Sequence, residues 1–293
     1  MRQFLVTFAQ NSENEYDEQG KDKEGRLRKS KKVVKSDLRG SQVMAKKMDK
    51  SQEIMGVTIS GTRISEVLKK IGLQRKEMLH VATVNSEYIM EARGNLKFNE
   101  VLRSCLTVAD GWGVVWGTRI LGAGAVERVS GVQLVEEILK RANERGEKVF
   151  LLGAAQGVAE RAASAMAQKY PGATYSWYEG ARTVKVEKSE EASMTIAKIN
   201  GFEPDYLLVA YGSPWQDIWI EENRPYLRAR VAIGVGGVFD EWAGLVAVCP
   251  NWIDQFGLKW LWRVVHEPWR FRRVVRVWQY GLLVLLERVK RLF

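Results

Sequence analysis

Asp110 has the residue type and the setting that a general base requires. It follows the apolar run Leu106–Ala109 and precedes two glycines, Gly111 and Gly113, so its carboxylate stands at the end of a predicted strand, on a loop with backbone freedom. A carboxylate so placed can accept the proton of a substrate hydroxyl. An aspartate that only caps a turn before glycine is the alternative, and the local residues alone favour that interpretation.

A segment of small residues, Gly153-Ala-Ala-Gln-Gly157, lies between a predicted strand and a predicted helix. Small residues at this point let backbone N–H groups approach a phosphate at the N-terminus of the helix. The segment is not the dinucleotide motif GxGxxG, and it is not a Walker A loop because no Gly-Lys-Ser/Thr follows. A tight turn between strand and helix explains these residues as well as a phosphate site does.

Two more loops follow apolar runs. In Tyr211-Gly-Ser-Pro-Trp-Gln-Asp217 we expect Gln216 to hydrogen-bond a uracil or sugar edge, although a surface residue in the first turn of a helix would have the same pattern. In Gly234-Val-Gly-Gly-Val-Phe-Asp240 the glycines Gly236 and Gly237 indicate backbone that passes close to a ligand or to a neighbouring strand.

Residues that typically form metal sites are few. The 2 histidines, His80 and His266, are far apart, and the 2 cysteines, Cys105 and Cys249, cannot form a disulfide framework or a thiolate zinc site by themselves. No Asp-x-Asp triplet, which would hold a divalent metal between diphosphate oxygens, lies at a predicted strand end. We therefore expect metal-independent chemistry without a cofactor, in a reducing compartment.

Apolar strands alternate with amphipathic helices along the middle of the chain. We predict strands at residues 54–59, 79–84, 106–109, 148–152, 205–211 and 231–235, and helices at 64–71, 86–93, 131–145, 158–169 and 216–223. This alternation predicts an α/β fold, a mostly parallel, doubly wound (Rossmann-like) sheet with helices on both faces. Ligands bind such sheets at the carboxyl ends of the strands, where the loops described above begin.

The net charge of +10 is concentrated at the two ends of the chain. Residues 1–50 carry 13 Lys and Arg against 8 Asp and Glu, and residues 258–293 carry 9 against 2. We predict a disordered basic tail over residues 1–50, an α/β domain over 54–257, and a basic amphipathic helical segment over 258–293. This charge distribution indicates an anionic partner such as phospholipid or nucleic acid.

The C-terminal segment has the pattern of a helix that lies in a membrane interface. Basic residues such as Arg272 and Arg276 fall away from an apolar stripe of helical spacing, which consists of Phe271, Val274, Val275, Trp278, Leu282, Leu285, Leu286 and Val289. A helix packed on the domain is the alternative, and the two are compatible. No membrane span is predicted, because the longest uncharged apolar stretch here is 277–286 and about twenty residues are needed. No secretory signal is predicted either.

Together, these loops resemble the bacterial WecG/TagA/CpsF glycosyltransferase family. The resemblance runs from about residue 54 to 273 and leaves residues 1–50 outside. Its motifs are Thr83-x-Asn85-Ser-Glu87, Ala109-Asp-Gly-x-Gly113, Glu127-Arg-Val-Ser-Gly131, Val149-Phe-Leu-Leu-Gly153, Pro204-Asp205, Gly212-Ser-Pro-x-Gln216-x-x-Trp219-Ile220, Gly234-Val-Gly-Gly-x-Phe-Asp240, Ala243-Gly244, Gly257-Leu-x-Trp260-Leu-x-Arg263 and Glu267-Pro-x-Arg270.

The chain departs from this family pattern at two points. Ala247-Val248-Cys249-Pro250 stands where the family usually has a basic pair before Ala-Pro, and Gly180-Ala-Arg182 stands where it often has Gly-Tyr/Phe-Phe. These departures bear on sugar and acceptor specificity, and they leave a non-catalytic relative open.

The resemblance implies an inverting transfer of a hexose or an N-acetylhexosamine of the N-acetylmannosamine type. The donor would be a UDP-sugar and the acceptor a polyprenyl-diphosphate-linked sugar, in the synthesis of teichoic acid or another cell-surface polysaccharide. The location would be cytoplasmic, peripheral on the inner face of the bacterial cell membrane.

The same resemblance assigns roles to residues. Asp110 matches the catalytic base, Thr83 and Asn85 match residues of the same pocket, and Arg263 and Arg270 would stabilise the leaving diphosphate without a metal. The other substrate-binding residues expected are Gly111, Gly153, Gly157, Gln216, Gly236, Gly237 and Asp240.

Two other classes of protein fit part of the pattern. A nucleic-acid-binding protein would explain the charge but not the loops at the strand ends, so we predict no nucleic-acid partner. A Rossmann-type oxidoreductase would fit the fold class but lacks GxGxxG and the acidic residue about twenty positions later. The sequence leaves the identity of the sugar and the acceptor open, and also whether the protein forms a homo-oligomer.

Overall fold

The computed structural model describes residues 51–73, 77–181, 189–267 and 271–293. The strands of this part of the chain are β1 (Gln52–Ile54), β2 (Val57–Ile59), β3 (Leu79–Val84), β4 (Leu106–Ala109), β5 (Lys148–Gly153), β6 (Thr174–Tyr178), β7 (Tyr206–Ala210) and β8 (Val231–Gly234). Its α-helices are α1 (Ile64–Leu73), α2 (Ser86–Gly94), α3 (Leu96–Ser104), α4 (Trp112–Ile120), α5 (Gly131–Arg145), α6 (Val158–Lys169), α7 (Ser189–Phe202), α8 (Trp215–Asn223), α9 (Val238–Trp242), α10 (Asn251–Gln255), α11 (Lys259–His266) and α12 (Phe271–Lys290).

A six-stranded sheet in the order β4-β3-β8-β7-β5-β6 organises the fold. Every pairing in this sheet is parallel. Strands β4, β7 and β8 are buried along their whole length, because helices cover both faces of a parallel sheet. The predicted α/β, doubly wound parallel sheet is confirmed.

Successive side chains of the central strands enter two different cores, since neighbouring residues of a strand point to opposite faces. Leu151 and Leu208 belong to a cluster with residues of α1, α5 and α6. Phe150 and Leu207, one residue earlier on the same strands, belong to a cluster with residues of α7 and α8 on the other face. The helices are therefore divided between the two faces of the sheet.

The pairing of β3 with β4 brings the predicted base to the carboxyl edge of the sheet. Thr83 lies opposite Val108, and Val84 lies opposite Ala109. The ladder continues one residue further, because the N–H of Asp110 donates to the Val84 carbonyl at 2.7 Å. Asp110 is thus held by the sheet itself at the start of the following loop.

The predicted strand at 54–59 is wrong as a single element. Residues 52–59 form an antiparallel hairpin of β1 and β2, and its turn residues Met55 and Gly56 have φ values of 51° and 84°. Two consecutive positive φ angles are typical of a two-residue hairpin turn, which reverses the chain where the sequence reads as continuously apolar.

The predicted C-terminal helix is present as α12, and it packs on the domain, which was one of the two interpretations; the membrane interface stays a prediction. Tyr280 and Val284 are buried in a cluster with residues of β1, β2, α2 and α4. The Tyr280 hydroxyl also donates to the Gly113 carbonyl at 3.0 Å. On the other side of the helix Trp278 is 71% exposed and Leu282 is 60% exposed. The helix therefore docks on the domain while most of the predicted stripe faces outward.

No helix within the described ranges is both long enough and apolar enough to cross a membrane.

Candidate active site

Asp110 is half-buried at the end of β4, and the charges of Lys259, Arg128 and Asp254 act on its carboxyl group. Burial raises the pKa of Asp110 above its ordinary value, while the charge of Lys259, a hydrogen bond from the Gly131 N–H and the charge of Arg128 act in the opposite direction. A carboxylate with a raised pKa is a stronger proton acceptor than an exposed one. The setting suits a general base.

Two cavities meet at Asp110. The smaller, of about 160 Å³, lies at the carboxyl ends of β3 and β8, and the larger, of about 430 Å³, lies between α4, α11 and α12. Both cavities are lined by Asp110, Ser130, Lys259 and Arg263. A group that Asp110 deprotonates in one cavity can therefore react with a molecule bound in the other.

Glycine backbone and the end of β3 form the wall of the smaller cavity. Four residues that the sequence analysis predicted for the site line this cavity, namely Thr83, Asp110, Gly237 and Arg263. Gly131 and Gly234 line it as well. Gly234 must lack a side chain, because an added Cβ would lie 2.4 Å from Nε2 of Gln216. The close approach of Gln216 explains why a glycine ends this strand.

The Gln216 side chain lies below this wall, where it is 2% exposed. Its Oε1 accepts from the Gly236 N–H at 3.0 Å, and its Nε2 donates to the Tyr88 hydroxyl at 2.9 Å. Both ends of the amide thus bond to protein groups, and one of these belongs to the glycine loop after β8. Direct contact between Gln216 and a uracil or sugar edge stays a prediction.

The larger cavity has a polar end and an apolar end. Asn85 and Gly111 lie with Asp110 at the polar end. Asn85 also begins α2, since its Oδ1 accepts from the Tyr88 N–H at 3.1 Å. The apolar wall consists of Trp112, Trp116, Ile120, Trp260, Val264, Val274, Val277 and Val284. This wall follows α4 for roughly 12 Å, from beside Asp110 to the outer part of α12.

Arg128 is the most firmly held cation near Asp110. Its guanidinium makes two hydrogen bonds to the Asp254 carboxylate, at 2.9 and 2.8 Å. These bonds raise the pKa of Arg128 and lower the pKa of Asp254. The guanidinium also lies over the Trp112 ring, 5.6 Å from its centroid. Arg128 is therefore a fixed positive charge at the rim of the larger cavity.

Lys259 and Arg263, one turn apart on α11, share one carboxylate. Arg263 hydrogen-bonds to Glu241, and the Lys259 Nζ lies 3.9 Å from the same Glu241 oxygen. Both side chains line both cavities. Two cations with one acidic partner leave net positive charge beside Asp110, which suits a diphosphate.

Five predicted site residues within the described ranges line neither cavity, namely Gly153, Gly157, Gln216, Gly236 and Asp240. Gly153 and Gly157 are at the end of β5 and the start of α6, and in the described part of the chain they line neither cavity. The Gly157 N–H already donates to Glu179 Oε1 at 2.7 Å. Asp240 lies in the short helix α9, beyond the glycines of the loop after β8. Arg270 is outside the described residues.

Sequence reasoning missed Arg128, Ser130 and Lys259 as cavity residues. Arg128 and Ser130 lie inside the quoted motif Glu127-Arg-Val-Ser-Gly131, and Lys259 occupies the variable position of Gly257-Leu-x-Trp260. The family motifs were therefore the sequence signal that could have identified these residues. No local pattern indicates that these cations approach an aspartate elsewhere in the chain.

One cluster of potential metal ligands lies within the described ranges, away from both cavities. The ligand atoms of His80, Cys105 and Glu221 lie within 4.8 Å of one another. His80 precedes Thr83 by three residues on β3, roughly 10 Å along the strand. A further cavity of about 580 Å³ lies between the β1–β2 hairpin and the end of α12 and contains none of the predicted site residues.

Comparison with known proteins gives a consistent result. Residues 52–292 match the glycosyl transferase WecG/TagA/CpsF family. The chain is 30% identical over 227 residues to the N-acetylglucosaminyldiphosphoundecaprenol N-acetyl-beta-D-mannosaminyltransferase of Bacillus subtilis (strain 168), which covers 77% of this chain and 86% of the relative. It is 28% identical over 246 residues to the enzyme of the same name from Staphylococcus aureus (strain MRSA252), which covers 82% and 94%.

Proposed function

Because the chain belongs to the glycosyl transferase WecG/TagA/CpsF family, we propose that it transfers an N-acetylmannosamine-type sugar from a UDP-sugar to a polyprenyl-diphosphate-linked sugar. The chain is a glycosyltransferase, and the donor and acceptor classes are the proposal. The curated relatives are named for an N-acetylmannosaminyl group and for an N-acetylglucosaminyldiphosphoundecaprenol acceptor. We propose that the same classes of donor sugar and acceptor apply to this chain.

One observation carries the proposal, namely that Asp110 lines two cavities of different character. We assign the UDP-sugar to the smaller cavity, since backbone N–H groups of a glycine loop suit phosphate oxygens. We assign the acceptor to the larger cavity, whose apolar wall suits a lipid-linked molecule. Asp110 would then lie between the acceptor hydroxyl and the donor sugar.

The proposed reaction is a single displacement with inversion. Asp110 takes the proton of the acceptor hydroxyl as that oxygen forms a bond to the anomeric carbon. The bond between the anomeric carbon and the UDP oxygen breaks on the opposite face, and UDP leaves with the electron pair. The raised pKa of Asp110 supports this role because it strengthens the carboxylate as a base.

Protein cations would stabilise the charge that develops on the leaving diphosphate. Lys259 and Arg263 line the smaller cavity. Because the two cations share the single carboxylate of Glu241, a net positive charge remains. Arg128 lies at the rim of the larger cavity and can face the acceptor diphosphate. Charge stabilisation of this kind is worth about 2.7–4 kcal/mol per well-placed group.

We further propose peripheral binding to an anionic membrane surface through α12. The exposed side of this helix is apolar, as Trp278, Leu282 and Leu285 illustrate, and Arg288 and Lys290 follow in its last turns. Apolar residues with flanking cations suit the interface of an anionic bilayer. A lipid-linked acceptor would then be available at the larger cavity.

The proposal is tested by measuring UDP release from UDP-N-acetylmannosamine with a polyprenyl-diphosphate-linked N-acetylglucosamine as acceptor. We expect release that depends on the acceptor and yields a disaccharide with inverted anomeric configuration. UDP-glucose and UDP-N-acetylglucosamine are the donor controls. UDP release at an equal rate without acceptor, or no release with any of the three donors, would contradict the proposal.

We propose that the transfer is independent of metal, and chelation tests this directly. Addition of EDTA is expected to leave the rate of UDP release unchanged, because Lys259 and Arg263 supply the positive charge. The control is a parallel reaction with added Mg²⁺ or Mn²⁺. Loss of the rate on chelation, with recovery after metal is returned, would show that the diphosphate is stabilised differently.

A further inference from the structure

A chain of buried hydrogen bonds begins at the glycine loop of the smaller cavity and runs under the sheet edge. The Gly236 N–H donates to Gln216 Oε1 at 3.0 Å, and Gln216 Nε2 donates to the Tyr88 hydroxyl at 2.9 Å. Tyr88 is 3% exposed, and its ring packs against Phe98 with 5.2 Å between centroids. The loop, helix α8 and helix α2 are thus connected by side chains that water does not reach.

The chain of bonds continues to a buried aspartate and histidine. The Tyr88 hydroxyl donates to Asp217 Oδ2 at 2.7 Å, and His80 Nε2 lies 3.2 Å from Asp217 Oδ1. The other ring nitrogen, Nδ1, faces Glu221 Oε2 at 3.3 Å and Cys105 Sγ at 3.1 Å. His80 and Asp217 are both fully buried.

The chemistry of these groups sets the direction of the bonds that join Asp217, Tyr88, Gln216 and Gly236. Asp217 is an acceptor, so the single hydroxyl hydrogen of Tyr88 points to it. The Tyr88 oxygen can then only accept, and the group of Gln216 that faces it must be the NH₂ group. The carbonyl oxygen of Gln216 consequently faces the Gly236 N–H. If the amide were reversed, its oxygen would face the Tyr88 oxygen, so that two acceptors would meet. Its NH₂ group would face the Gly236 N–H, so that two donors would meet.

From this geometry we infer that Tyr88, Asp217 and His80 are positioning residues, which fix the orientation of the Gln216 amide and through it the glycine loop of the donor cavity. The inference rests on the proposed function, which assigns the UDP-sugar to that cavity. It gives Gln216 an indirect role, in which its amide holds the Gly236 backbone in place.

The protonation states of the network agree with this direction. Burial and the charge of Asp217 raise the pKa of Tyr88 well above its usual value, so the phenol keeps its hydrogen. Burial disfavours a charged His80, but Cys105, Asp217 and Glu221 outweigh it and raise the pKa of His80. Burial also acts against a charged Glu221, yet His80 and Arg224 lower the pKa of Glu221 to about 2.

The test compares two tyrosine variants that each lose one hydroxyl–carboxylate bond. Tyr88→Phe keeps the ring but releases the Gln216 amide. Tyr206→Phe is the matched control, because the Tyr206 hydroxyl donates to Glu147 Oε2 at 2.8 Å at the start of β7, away from the cavities. UDP binding measured by calorimetry should weaken about 5- to 10-fold in Tyr88→Phe and remain as in the wild type in Tyr206→Phe.

Hydrogen exchange at Gly236 provides a readout without ligand. The Gly236 amide should exchange faster in Tyr88→Phe than in Tyr206→Phe, since only the first variant loosens its acceptor. Equal exchange and equal UDP affinity in the two variants would overturn the inference. If the wild type does not bind UDP, the proposed function fails, and the exchange measurement alone then decides whether the network holds the loop.

A double-mutant cycle tests whether Tyr88 acts through Gln216. The combination of Tyr88→Phe with Gln216→Ala should bind UDP as weakly as Gln216→Ala alone, because the shared path is already lost. Gln216→Met, which keeps the volume, replaces Gln216→Ala if that variant does not fold. Full additivity of the two effects would overturn the inference.

Cobalt tests the role of His80. The wild-type protein with added Co²⁺ should show no thiolate-to-cobalt absorption band. A band that Cys105→Ala abolishes would place a metal on Cys105 Sγ, 3.1 Å from His80 Nδ1, and would overturn the role of His80 as a partner of Glu221.

Discussion

The carboxyl edge of the sheet and the C-terminal helices contribute to the same cavities in different ways. At the sheet edge, Gln216 is 2% exposed and is bonded to protein groups from two other elements. On α11 and α12, by contrast, Lys259 and Arg263 rely on one carboxylate, and Trp278 faces outward. The first region holds groups in fixed positions, and the second presents charge and apolar surface.

This difference has an energetic basis. Hydrogen bonds in a buried, low-dielectric network are strong, and a partner left without its bond is costly. On α11, by contrast, Lys259 and Arg263 are 28% and 26% exposed and share the single carboxylate of Glu241, so one of the two cations can turn to a phosphate while the other stays paired. We therefore expect changes at the sheet edge to disturb the geometry of the smaller cavity, and changes in the C-terminal helices to alter the charge beside Asp110 and the proposed binding to a membrane surface.

The largest effect is expected for the base itself. Asp110→Asn should lower turnover about 10²- to 10⁴-fold, because asparagine has nearly the same shape but cannot accept the proton. The measurement is the rate of UDP release with saturating acceptor. UDP binding by the variant, measured by calorimetry, serves as the control for an intact cavity. A variant that keeps more than about a third of the wild-type rate would exclude Asp110 as the base.

The second effect concerns the proposed membrane-binding side of α12 and leaves the sheet edge intact. Serine at Trp278, Leu282, Leu285 and Leu286 should weaken binding to anionic liposomes about 10²- to 10³-fold, at roughly 1 kcal/mol per half-buried apolar side chain. Deletion of the helix would be a poorer test, because Tyr280 and Val284 are part of the core.

The control for the α12 variant removes a similar amount of exposed apolar surface elsewhere. Leu73, Leu96 and Met194 are also exposed, and all three lie outside α12. Serine at these positions should leave liposome binding unchanged. Equal losses in the two variants would mean that α12 has no special part in membrane binding.

The contrast between the two regions also explains what the sequence could predict. Strands such as β4 and β7 were found because parallel strands buried on both faces are continuous apolar runs. Strand β6, with the sequence TYSWY, was missed because none of its residues is buried and Thr174 and Trp177 are exposed, so it does not form a continuous apolar run. A carboxylate after a strand and before glycine made Asp110 a candidate, but these local residues favoured a turn cap, and the role of base came from the family resemblance.

Long-range contacts could not be predicted in this way. The bond between Gln216 and Tyr88 joins residues 128 positions apart. The buried face of α12 was not separable from its exposed face, since apolar residues occur on both sides of the helix. The residues around Lys259 in the sequence do not distinguish it from a surface lysine. Its position near Asp110 results from the packing of α11. These features depend on tertiary packing, for which periodicity carries no information.

Lys259 lies on a C-terminal helix but acts on Asp110 at the sheet edge, so its substitution should have an intermediate effect on catalysis. Lys259→Gln should lower kcat/KM about tenfold, the value of one charge-assisted hydrogen bond to a phosphate. It should also shift the pH profile. The charge of Lys259 lowers the pKa of Asp110, so its removal raises that pKa. Because the base must be ionised, the acidic limb of the profile should then move to higher pH.

Lys140→Gln is the matched control for this shift. Lys140 pairs with Glu137 at 2.6 Å on the exposed side of α5 and does not line either cavity within the described residues. It should leave both the rate and the pH profile as in the wild type. A profile that is the same for Lys259→Gln and the wild type would show that Lys259 does not act on Asp110.

The smallest effect is expected from removal of residues 1–50. This segment carries 13 Lys and Arg and 8 Asp and Glu and precedes the family match, which begins at residue 52. Its composition predicts little buried surface, so UDP release should stay within about twofold of the full chain. Liposome binding of the truncated protein shows whether the tail adds a second basic anchor beside α12. A fall in UDP release beyond about tenfold, with soluble expression unchanged, would mean that catalysis also depends on the tail and that the sheet edge and the C-terminal helices do not suffice.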